Sequence, residues 1–110
     1  MFTTRKKNLT MTRGDTMAFG LYIKGLGHAA DSVRFSCSKS NGSNIIFSKD
    51  LTDSIVETRD NDPIYRIRIA PEDTNNIEPG DYLYDFEVQM NSDVFTIMKG
   101  TLTIEPDITR

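Results

Sequence analysis

The chain has 110 residues, 13 of them basic and 16 acidic, with a net charge of −3, one cysteine and one histidine. That length fits one domain, 1–110, large enough to bury a core without staples. A lone thiol excludes an internal disulfide and a cysteine-based zinc cluster, and the acidic balance argues against a nucleic-acid partner.

The opening MFTTRKKNLT carries charge but no apolar stretch behind it, so no signal peptide is expected. No apolar run approaches the roughly 20 residues that span a bilayer, so no transmembrane segment is expected either. Leu9 to Thr12 reads as a short strand. Arg13-Gly14-Asp15 spells an integrin-type tripeptide, but between two strands glycine and aspartate make an ordinary turn. Met17, Phe19, Leu21 and Ile23 then alternate with Ala18, Gly20 and Tyr22. Such a period of two places one face on a core and the other toward water.

The loop GLGHAAD follows. Gly25 and Gly27 do not lead from a strand into a helix, so they do not read as a phosphate cradle. His28 has no second histidine or cysteine to join it in metal binding or catalysis. Val33, Phe35 and Cys37 alternate with Arg34, Ser36 and Ser38, which puts Cys37 in the core as a small apolar residue. SNGSN is a turn, Asn44 to Ser48 another short strand, and DND a second turn. Asp53, Asp60 and Asp62 are acidic, but no loop of calcium-ligand spacing surrounds them. Asn8-Leu9-Thr10 and Asn41-Gly42-Ser43 match glycosylation sequons, which carry no weight without a secretory signal. Tyr65, Ile67 and Ile69 face inward, with Arg66 and Arg68 outward. In APEDTNNI, Pro71 fits the first position of a single helical turn with Glu72 and Asp73 at its positive end.

The stretch IEPGDYLYDFEV carries the strongest pattern. Pro79 and Gly80 supply a tight corner, Ile77 plugs the core beneath it, and Tyr82 stands just beyond. In Greek-key sandwiches a tyrosine so placed folds back, and its hydroxyl bonds backbone a few residues upstream. Ile77, Pro79, Gly80 and Tyr82 are therefore expected to form a structural tyrosine corner with a buried ring. Tyr84, Phe86, Val88 and Met90 continue the inward face, and Asp81, Asp85 and Glu87 the outward one. If Arg66 and Arg68 lie on a neighbouring strand, these charges pair across it.

Asn91-Ser92-Asp93 turns the last hairpin. Its second strand has conflicting parity, since Phe95 and Ile97 share one face while Leu102 and Ile104 fall on the other. A bulge at Lys99-Gly100 would reconcile them. EPDITR is expected to trail away.

These elements define an all-β fold, an immunoglobulin-like antiparallel β-sandwich of about seven strands with one short helical turn near 71–75. Leu9 to Thr12 and Phe95 to Ile104 are its expected edge strands. Four runs, LTMTRGDT (9–16), DSVRFSCS (31–38), APEDTNNIEPGDYLYDFEV (70–88) and KGTLTIEPDITR (99–110), resemble the immunoglobulin-like N-terminal domain of phage baseplate upper proteins and related prophage tail or fibre proteins. The resemblance spans nearly the whole chain. It implies a structural protein made in the host cytoplasm and built into a virion or phage-like particle. Its partners would be other tail or baseplate proteins, or a second copy paired through an edge strand. From the residues themselves, no membrane and no cofactor are expected.

No catalytic constellation emerges, so the expectation is a protein that is not an enzyme, with no catalytic, cofactor or metal residues. The rival reading is an adhesin-like or carbohydrate-binding surface module. Tyr22, with Met11 and Thr96, is the expected interaction surface.

Overall fold

The computed structural model describes residues 4–39 and 44–108. Nine strands run in order β1 (Arg5–Lys6), β2 (Leu9–Thr12), β3 (Met17–Tyr22), β4 (Ser32–Ser38), β5 (Ile45–Asp50), β6 (Ile55–Arg59), β7 (Asp62–Ile69), β8 (Gly80–Met90) and β9 (Asp93–Glu105), with a helical turn α1 (Pro71–Thr74) between β7 and β8. One sheet has the order β1-β9-β8-β4-β5, with β2 also on β9; the other has the order β3-β7-β6. The two face each other as an immunoglobulin-like sandwich. The SNGSN turn and the second sequon lie largely outside the described residues.

Alternation decides what each strand buries. Val33, Phe35 and Cys37 of β4, Tyr65, Ile67 and Ile69 of β7, and Phe86 and Val88 of β8 are all fully buried. The rings of Phe35 and Phe86 meet at 5.0 Å between centroids, in the range that favours tilted aromatic pairs. Tyr65 buries its polar end because its hydroxyl accepts the Ala30 N–H at 2.9 Å.

Two strands lie outside the sequence pattern. β1 is only two charged residues, and all five residues of β6 are exposed. Both first strands run parallel to β9, with one continuous register from Arg5 opposite Met98 to Thr12 opposite Glu105. β9 is therefore flanked on both sides and is not an edge, contrary to the expectation from its place in the chain.

The parity conflict in β9 is resolved elsewhere than expected. Phe86 pairs with Met98 and Glu87 with Thr96, so Ile97 is the extra residue of a bulge. Met98, Leu102 and Ile104 then share the inner face, and Ile97 packs half-buried against the same core. Gly100 has a different task. A Cβ there would lie 2.0 Å from the Lys7 carbonyl oxygen, so only glycine lets the N-terminal strand cross at this point. That carbonyl accepts the Tyr84 hydroxyl at 2.5 Å, while the Asn8 side chain takes the Thr101 N–H at 3.1 Å.

Candidate interaction surface

Gly80 opens β8 after α1, and the Tyr82 hydroxyl donates to the Glu78 carbonyl. Ile77 is buried beneath the corner. The ring of Tyr82 is half-buried rather than buried, because it stands near the end of the sandwich where the inner face meets solvent. Tyr84, one pleat further in, is 3 % exposed, and burial raises its phenol pKa.

The three residues expected to form an interaction surface do not share one. Met11 is 6 % exposed and belongs to the core, because the parallel register on β9 turns it inward beside Ile104. Thr96 lies at the bulge, where its carbonyl accepts the Thr4 hydroxyl at 2.7 Å. Tyr22 is half-buried on the outer face of the smaller sheet. The Arg59 guanidinium stands 5.5 Å from its ring centroid, in cation–π range.

Several charged residues hold the fold together. Arg13 donates from Nε to Asp107 at 2.7 Å, within a Thr12–Asp15 turn closed by a 3.1 Å backbone bond. Gly14 has φ 81°, the left-handed geometry such a turn requires, and its N–H donates to the fully buried Thr74 hydroxyl at 2.8 Å. Asp62 is 7 % exposed, and its carboxylate takes the N–H groups of Gly25 at 2.8 Å and Gly27 at 2.7 Å. The N–H groups of the glycine loop are thus taken by a carboxylate of this chain. Those bonds, Gly25 first, hold the Asp62 carboxyl below the usual value of 3.8. Asp73 accepts the Ala70 N–H at the start of α1 and pairs with Lys49 at 2.6 Å. His28 is exposed on its loop. Burial pushes the Cys37 thiol up to about 12.

The proposed pairing of Arg66 and Arg68 with Asp81, Asp85 and Glu87 does not occur. β7 and β8 belong to different sheets, so the two sets face opposite sides of the sandwich. Arg66 and Arg68 instead stand beside the small residues Gly20 and Ala18.

What remains on the outside is of two kinds. The outer face of the larger sheet carries a shallow hollow of ≈ 680 Å³, floored by Ser36, Leu83, Asp85, Lys99 and Thr101. Burial, then the nearby Glu87, raises the Asp85 pKa. The second kind is edge: Ile45 on β5 is 67 % exposed, and Val56 on β6 is 55 % exposed. Among the described residues no cluster of three His, Cys, Asp or Glu side chains could hold a metal ion. Nor is any helix among them long and apolar enough to cross a membrane.

The architecture is that of an immunoglobulin-like sandwich, and solved structures share it. CopC from Methylosinus trichosporium OB3b superposes with a TM-score of 0.52 and 13% identity, covering 94% of this chain and 88% of that one. A family 123 glycoside hydrolase from Clostridium perfringens superposes with a TM-score of 0.59 and 13% identity, over 96% of this chain but only 24% of the hydrolase. At such identities the likeness is one of fold. No protein-family model and no curated protein sequence matches the chain.

Proposed function

We propose that this protein is a non-enzymatic structural or assembly component of a phage or phage-like particle, in its tail, baseplate or fibre, acting through protein–protein contacts. One observation carries the reading. The open strand edges carry isolated exposed aliphatics, Ile45 on β5 and Val56 on β6, which suits pairing with another chain. Several polar side chains are meanwhile committed to the fold: Asp62 to its loop, Arg13 to Asp107, Tyr82 to Glu78 and Tyr84 to Lys7. The sequence resemblance to baseplate domains supplies the particle context.

The test is affinity capture of the tagged chain from particle-producing cells. Retrieval of a tail or baseplate structural protein, lost when the β5 or β6 edge is altered, supports the reading. Binding to surface polysaccharide with no such protein retrieved contradicts it.

A further inference from the structure

β6 offers the most sharply defined of the open edges. It joins β7 through Asp60 and Asn61, whose φ values of 53° and 70° make the two-residue turn of a tight hairpin. Arg59 opposite Asp62 closes that turn, and Thr58 stands opposite Pro63. Proline has no N–H, and the Pro63 carbonyl is already taken from the other side by the Ile23 N–H at 3.2 Å. The N–H and C=O of Thr58 therefore point away from the sheet, into solvent. Every residue of β6 is exposed.

We propose that two copies of this chain pair antiparallel through β6 across a two-fold axis at Thr58. Alternation and charge together set that register. Side chains of one face must meet across the axis, so it falls on a residue, and the bulge at Val56 breaks the strand there and leaves Glu57, Thr58 or Arg59. At Glu57 it sets two glutamates opposite each other, and at Arg59 two arginines. At Thr58 the two threonines exchange both backbone bonds, and Glu57 of each copy meets Arg59 of the other. Arg59 is already extended over the Tyr22 ring, on the side of the sheet where the second copy's Glu57 arrives. A five-residue edge buries less than the roughly 1,200 Å² of standard interfaces, so the free pair is weak and gains strength where copies are arrayed. The pairing specifies one partner within the assembly reading above and rests on it only for its purpose.

Sedimentation velocity of the full chain, from about 10 µM to about 1 mM, reads the pairing directly. The expected result is a concentration-dependent dimer that weakens with added salt. E57R and R59E each set like charges across the axis and should weaken it at least ~10-fold, and the double swap E57R/R59E should restore it. Thr58→Pro removes only a solvent-facing N–H, which an edge strand tolerates, so its melting temperature should stay while the dimer is lost. A wild type that stays monomeric throughout overturns the pairing, as does a dimer indifferent to Thr58→Pro and to the charge swaps. A monomer still captured with tail proteins removes the pairing and leaves the assembly reading standing; a charge-sensitive dimer that captures none does the reverse.

Discussion

Gly100→Ala is the substitution whose cost the structure defines best. An added Cβ lies 2.0 Å from the Lys7 carbonyl oxygen and 2.7 Å from its carbon, both backbone atoms. Ordinary contact begins at 3.4 Å, so the N-terminal strand must retreat by 3.4 − 2.0 = 1.4 Å. No side-chain rotation relieves this. At that displacement the Tyr84 hydroxyl loses its 2.5 Å bond to Lys7, and the Lys7 N–H its 2.9 Å bond to Lys99. Each bond contributes about 0.5–1.5 kcal/mol, and overpacking costs about 1–3 kcal/mol. The sum is about 2–6 kcal/mol, a large part of a total stability of about 5–15 kcal/mol. At about 4 °C per kcal/mol the melting temperature should fall by about 8–24 °C. Gly25→Ala serves as the control. Its φ of 89° strains alanine, but nothing lies within 4 Å of the new Cβ, so it should cost only about 1–2 kcal/mol. Denaturant and thermal melts of both variants decide the matter. A Gly100→Ala chain within about 1 kcal/mol of wild type would refute the close crossing of Lys7 over β9.

Further outcomes follow from the buried and half-buried polar groups. Thr74→Val strands the Gly14 N–H against an apolar side chain and should cost about 1–3 kcal/mol in urea melts. Tyr82→Phe loses the bond to Glu78 from a half-exposed ring and should cost about 1 kcal/mol, while partner binding falls only in proportion to lost folding. Asp62 has a folded pKa below its ordinary value, so its contribution is complete above about pH 4 and fades as pH falls through the lowered folded value. Asp62→Asn should therefore melt below wild type at neutral pH, and the gap should close in acid. Cys37, with its thiol pushed up to about 12, should resist thiol reagents at pH 8 in the folded chain and react on unfolding.

The sequence exposes most where a strand buries one face. β4, β7 and β8 alternate cleanly because each is covered by the opposite sheet, and α1 shows in Pro71 and the acids after it. β6 has no such signal: an edge strand that buries nothing leaves no period. The displaced bulge has a similar cause. Parity shows that β9 must slip once, but Gly100 attracts the slip while Ile97 takes it, since the glycine is spent on the Lys7 crossing. The roles of Asp62 and Thr74 rest on bonds to Gly27 and Gly14, 35 and 60 residues away, which local pattern does not encode. Met11 reads as a surface residue because a terminal strand reads as an edge until its parallel partner is known.

The proposed place of this sandwich as a built-in part of a particle is tested most directly by the composition of particles purified by density gradient from producing cells. The chain should co-migrate with the particles at a fixed ratio to their tail proteins and survive a salt wash. A chain found only in the soluble fraction, with complete and infective particles lacking it, would contradict the claim.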